Sequence, residues 1–325
     1  MRSFTIRLLP ALVAASLLAA CSGGGTGTTS ALPNLAPQGG GFTPTGMFTA
    51  VGDAPQAIAY LPTVDVFTAS GGSVGNRLAP MGHGSTSSGG NLNYGGGPIQ
   101  AAPKMYVVYW GSAWNGSGDP DGMKAQLNNF LGHVGGTSWN NTVTQYYQTN
   151  PSANAGNPAN NFGGSYVDTS SSPPKSPSQS QMAAEAVKAA AHFGDYSVGA
   201  QYVVAMPHGI SPSGFKRSYC AYHSSTTANG STISWTNLPY LPDAGSGCGA
   251  NSVSGVLDGV SIVEGHEMAE AETDPHPSSG WTDSSGAEIG DKCAWVNLQE
   301  TSLNGVNFPT QPLWSNKTSS CVQSY

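Results

Sequence analysis

The chain has 325 residues, of which 9% are charged and 44 are glycine, and its formal net charge is −7. That acidic, weakly charged balance excludes the basic face that nucleic-acid binding requires. The length leaves room for a domain with a substantial core.

The chain opens with a basic segment containing Arg2 and Arg7, followed by an apolar stretch over residues 8–20. That stretch is too short to span a bilayer comfortably and reads as a signal peptide. It ends in Leu18-Ala19-Ala20-Cys21, the pattern of a lipobox, which predicts a lipoprotein signal over residues 1–21 with Cys21 as the lipidated residue. An ordinary signal peptide cleaved near Ala20 is the alternative. Ser22 follows, with no aspartate to signal inner-membrane retention, so outer-membrane or cell-surface attachment through the lipid anchor is expected.

Residues 22–97 are rich in Gly, Ser, Thr and Pro and read as a low-complexity tether, apart from an apolar island at 57–67 that packs onto the main body. The domain proper is expected over residues 98–325. Lys104 to Trp110 is a β-branched and aromatic run, hence a buried strand. Met123, Leu127, Phe130, Leu131 and Val134 recur at helical spacing and predict a helix over 122–134, with another at 139–147. Residues 179–193 are strongly helical by propensity, and residues 201–206 form a second buried strand. A Gly/Ser-rich loop region containing Cys220 and Cys248 comes next. A helix over 254–273 follows, with Val256, Val260, Ile262, Val263 and Met268 as its apolar side. The tail from Trp281 to Tyr325 reads as loops and short strands.

With Cys21 set aside, four cysteines remain, an even number suited to an oxidising compartment. Four cysteines allow three connectivities; the local pairs Cys220–Cys248 and Cys293–Cys321 are favoured because each staples a Gly/Ser-rich loop. No C-x-x-C pair supports a zinc site built from them.

Gly265-His266-Glu267-Met268-Ala269-Glu270 carries the most chemistry. In H-E-x-x-H helices two histidines one turn apart reach one metal, and the glutamate between them serves as general base. Here Glu270 takes the second histidine position, and carboxylate oxygen is an acceptable zinc ligand at about 2.0–2.2 Å. The third ligand is expected to be Glu288, with Asp274 and then His276 as alternatives. Glu267 would accept the water proton, and Asp291 would orient one of the ligands without touching the metal. Imidazole favours zinc; calcium is the variant, because Glu270, Asp274, Asp283, Glu288 and Asp291 supply hard oxygens. The opposing explanation is an acidic, solvated helix face formed by Glu267, Glu270, Glu272 and Asp274. Glycoside hydrolysis by Glu267 with Glu288 is formally open, while no G-x-S-x-G elbow or phosphate-binding loop appears.

Several landmarks in order resemble the EXORDIUM, or phosphate-induced protein, family of secreted plant and microbial proteins. They are Tyr106-Val107-Val108-Tyr109-Trp110-Gly111; Tyr202-Val203-Val204 with Gly214-Phe215; Tyr219-Cys220-Ala221-Tyr222-His223-Ser224; Leu257-Asp258-Gly259; Gly265-His266-Glu267; Thr273-Asp274-Pro275; Trp281; and Glu288-Ile289-Gly290-Asp291-Lys292-Cys293. The resemblance covers roughly residues 98–296, and Cys220-Ala221 departs from the family's Cys-Gly. It implies a secreted location more than a reaction. From that landmark alone, His223 is a candidate to stabilise an oxyanion if its loop folds over the cleft.

Together these readings predict an α+β fold: a single zincin-like domain with a small sheet, a metal-site helix and a disulfide-stapled C-terminal region. The expected function is zinc-dependent hydrolysis of extracellular peptide or protein. A non-catalytic surface or cell-wall binding module with a structural metal is the other reading.

Overall fold

The computed structural model describes the strand Gln56–Ala59 (β1) and residues 90–325, all within one compact unit, Phe48–Tyr325. The signal segment with Cys21, and most of the expected tether, lie outside the described residues. The scaffold elements are β2 (Lys104–Trp110), α1 (Met123–Val134), β3 (Phe162–Asp168), α2 (Gln179–Phe193), β4 (Ala200–Ala205), β5 (Tyr219–Ala228), β6 (Ser231–Leu238) and α3 (Asp258–Thr273). Two antiparallel pairs close the chain, β7 (Gln299–Leu303) with β8 (Val306–Thr310) and β9 (Leu313–Ser315) with β10 (Ser320–Val322).

The fold is mixed α and β. Strands run in the order β1-β5-β6-β4-β2-β3 in a six-stranded sheet, with only two-stranded sheets beside it among the described residues. β3, β2, β4 and β6 are parallel neighbours, whereas β5 pairs antiparallel with both β6 and β1. Helices cover both faces, which explains why β2 and β4 read as unbroken apolar runs. Alternation along the strands divides their side chains between those faces. Tyr106 and Tyr202 stack on each other beside Phe193 of α2. On the opposite face the Tyr109 hydroxyl bonds Asn128 of α1, and Gln201 reaches the carbonyl of Met268 in α3.

Local chemistry sets the ends of the helices. Ser178 and Gln181 form a capping box on α2, and Gly194 closes that helix in the left-handed conformation. α3 begins at Asp258, later than the residue 254 start expected from sequence. The Asp258 carboxylate instead accepts the backbone N–H groups of Val253, Ser254 and Gly255, tying off the preceding turn. The predicted apolar side of α3 also needs correction. All sixteen residues of the helix are buried, whereas Val256 lies before it and is 43% exposed. A helix buried all round has no stripe to detect.

Two other segments differ from expectation. Residues 139–147 contain a short 3-10 helix, Asn140–Gln145, leading into the small strand Tyr147–Thr149. The supposed loop region around Cys220 is largely the β5–β6 hairpin, turned by Asn229 and Gly230, both with positive φ. At the other boundary, residues 90–97, grouped with the tether by composition, join the domain. Leu92 is buried, and Asn93–Tyr94 pairs with Trp281–Thr282.

Both disulfides form in the favoured pairing, Cys220–Cys248 and Cys293–Cys321, with Cα separations of 5.5 and 5.7 Å. They indicate an oxidising environment. Among the described residues, no helix is long and apolar enough to cross a membrane.

Candidate metal centre

Three parts of the chain meet in the core: α3, the strand β5, and the segment from Glu288 to Asp291. Disulfides fasten the two parts that are not helical. Cys220 lies three residues before His223 on β5, and Cys293 lies two after Asp291. The Lys292–Asp283 ion pair, at 2.9 Å, and the bond from Trp314 N–H to the Ile289 carbonyl fix the segment further. Glycine is required at position 290, because a Cβ there would lie 2.7 Å from His266 Nδ1 and 3.0 Å from Glu270 Oε1.

Glu267 and Glu270, three apart on α3, share a face. Their Oε2 atoms lie 3.3 and 3.5 Å from Nδ1 of His223, and all three residues are fully buried. Ligand atoms bound tetrahedrally at about 2.0–2.1 Å stand about 3.3 Å apart, so the spacing fits one cation. This His/Glu/Glu group can hold a metal ion. The ring is oriented for it: Nε2 lies 3.2 Å from the carbonyl of Asp274, which can only accept. The proton therefore sits on Nε2, and in the neutral ring Nδ1 offers its lone pair. Glu270 is supported on its far side too. Its Oε1 accepts the Asp291 backbone N–H at 3.0 Å, while its Oε2 has no hydrogen-bond partner.

A second group shares Glu270. His266 Nε2 lies 3.0 Å from Glu270 Oε1 and 3.6 Å from Asp291 Oδ1. The Asp291 side chain is 22% exposed, so the cluster reaches solvent on this side.

Charge balance is the most telling property of the site. Among the described residues, the ion partners of Glu270, Glu288 and Asp291 are His223 and His266, with no Lys or Arg among them. Even two imidazoliums would leave the acidic groups in excess, and buried charge without compensation is costly. Without a cation the cluster must hold extra protons. Burial pushes Glu288 well up, and the neighbouring carboxylates Glu270, Asp274 and Asp291 push it further against the opposing effect of His223. Burial and Glu270 likewise raise Asp291 to about 7. Burial opposes a proton on His223, yet Glu288, Glu267 and Glu270 outweigh it and hold the ring well above its ordinary value. A divalent cation relieves the same strain without those protons.

The residues singled out from sequence are thus distributed as follows. His266 and Glu270 come together, and Glu288 lies nearer the other histidine, its Oε1 3.9 Å from His223 Nε2. Glu267 faces His223, at ligand distance. Asp291, expected from sequence only to orient a ligand, has a carboxylate oxygen beside His266. The Asp274 carboxylate binds Ser279 N–H and hydroxyl, leaving its carbonyl to His223. His276 is in neither group of potential ligands. Asp283, counted among possible calcium ligands, is engaged with Lys292. The solvated acidic face is ruled out, since Glu267, Glu270, Glu272 and Asp274 are all fully buried. His223, a candidate to stabilise an oxyanion if its loop folds over the cleft, instead lies on a paired strand and is a core histidine facing α3. Gln311, beside His266 Nδ1 at 3.0 Å, was not anticipated, and no spacing signal marks it.

No family model, curated protein or solved structure matches the chain.

Proposed function

We propose that the chain is an exported, metal-dependent hydrolase of extracellular peptide or protein, with the cation held by His223, Glu267 and Glu270. The observation that carries this reading is the His223 ring, whose Nδ1 faces two carboxylate oxygens at 3.3 and 3.5 Å while its Nε2 is turned to a carbonyl. One nitrogen with two oxygens suits zinc better than calcium. Such a cation supplies Lewis acidity and lowers the pKa of its water. The protein's own residues complete the chemistry. Glu288, buried, with neither carboxylate oxygen hydrogen-bonded, is the group to take and return a proton, a role that sequence spacing gave to Glu267. Asp291 borders the solvent side through which substrate would approach. Peptide as substrate rests on the likeness of the α3 sequence to H-E-x-x-H helices.

The Leu18-Ala19-Ala20-Cys21 pattern supports lipid anchoring at Cys21, on the outer membrane or cell surface. The ordered landmarks support membership of the EXORDIUM family. A zincin-like ancestry for the domain rests on α3 alone.

Complete burial of the three ligand residues favours a second reading, a closed structural metal in a binding module. Glu288→Gln separates the two. In a hydrolase it keeps the metal and abolishes cleavage in a peptide-library assay. If the wild-type protein binds metal, unfolds more easily without it and cleaves nothing, the module reading stands.

A further inference from the structure

Gln311 follows β8, and its side chain ends between two acceptors. Nε2 lies 2.9 Å from the Gly290 carbonyl and 3.0 Å from Nδ1 of His266. The carbonyl can only accept, so the amide nitrogen and not its oxygen must face it. The second hydrogen of that nitrogen then points at His266 Nδ1, which must receive it with a lone pair. A neutral imidazole carries one proton, which is thereby sent to Nε2. On that side stand Glu270 Oε1 and Asp291 Oδ1, at 3.0 and 3.6 Å. The contact is close without being well aligned, as Nε2 completes no hydrogen bond of good geometry. His266, Glu270 and Asp291 have the spacing to hold a cation of their own, yet a nitrogen bearing a proton has no lone pair to give.

We infer that Gln311 is a positioning residue that turns the Nε2 proton of His266 toward Glu270 and Asp291, so that the centre takes one cation, not two. The inference rests in part on the hydrolase reading, which places the cation on the opposite oxygen of Glu270. Gly290 is part of the arrangement, since its carbonyl orients the amide and its missing Cβ leaves room for the ring.

The test is long-range 1H–15N NMR on the histidine-labelled full chain, together with titration by zinc alone. The expected result is a proton on His266 Nε2 and a single tight equivalent of zinc. Gln311→Glu replaces the donor with an acceptor. The proton should move to Nδ1, and a second tight equivalent should appear. A wild-type spectrum with the proton on Nδ1, or two tight equivalents in the wild type, would overturn the inference. So would a folded Gln311→Glu protein that keeps the Nε2 proton. The wild-type spectrum decides the matter even if the variant does not fold. If the wild type binds no zinc, the hydrolase reading falls, and the spectrum still reports which nitrogen is protonated.

Discussion

Nε2 of His223 lies 3.2 Å from the main-chain carbonyl of Asp274, the residue that ends α3. That contact decides which nitrogen of a strand histidine faces the helix. It also gives a role to Asp274 in which its carboxylate takes no part. The backbone atom holds the ring, and Ser279 holds the side chain.

Removing the cation should destabilise the domain. A ligand present at about 1,000 times its Kd contributes about 4 kcal/mol, and each kcal/mol shifts Tm by roughly 2–4 °C in a domain of this size. Chelation is therefore expected to lower Tm by about 8–16 °C, with zinc restoring it. An unchanged melting curve after verified metal removal would count against a metal in the core.

The Cys293–Cys321 bridge spans a sequence separation of 28, so its loss is expected to cost about 3–4 kcal/mol. Cys293→Ser with Cys321→Ser should also weaken metal binding, because the bridge fastens the segment carrying Glu288 and Asp291. Calorimetry and metal content, measured on the same sample, check both effects. Loss of stability with metal affinity intact would uncouple the bridge from the site.

Gly290→Ala places a methyl 2.7 Å from His266 Nδ1. Overpacking of this kind costs about 1–3 kcal/mol. Because the crowded atoms belong to His266 and Glu270, metal affinity should fall as well. A variant as stable and as metal-replete as the wild type would show that the ring can move aside.

Away from the centre, Glu185 on α2 gives a pH signature. Burial, then its hydrogen bond with Asp168, raises this carboxyl to about 7, while Lys188 pulls the other way. The folded state thus holds a proton that the unfolded chain releases near its ordinary 4.5. Its contribution is fully present below pH 4.5 and is lost as pH rises through about 7. Glu185→Gln, which cannot ionise, should therefore show a shallower fall in Tm between pH 5 and 8 than the wild type. Parallel Tm profiles would refute the assignment.

The elements that were legible in the sequence are those whose local signals agree with their surroundings. β2 and β4 are apolar because both faces are covered, and α1 has a stripe because only one side is. α3 shows the limit: its existence is plain, but its burial on every side leaves no periodic pattern, and Glu264 and Glu272 look like solvent residues. Burial instead pushes both carboxyls well up. The hairpin had a local signal, since Asn229-Gly230 favours a two-residue turn between β-rich flanks. At the site, the spacing of His266 and Glu270 announced a shared face. His223 comes from a distant strand, and spacing along α3 carries no trace of it. Glu288 and Asp291 sit in one short segment, so their distances to the histidines depend on how that segment folds.

The most direct test is metal content per chain, by elemental mass spectrometry, in the wild type, His223→Ala and His266→Ala. The account predicts one divalent cation in the wild type, lost with His223 and retained, more weakly, without His266. Loss with His266 but not with His223 would contradict it, as would a folded wild type that takes up no metal when zinc is offered.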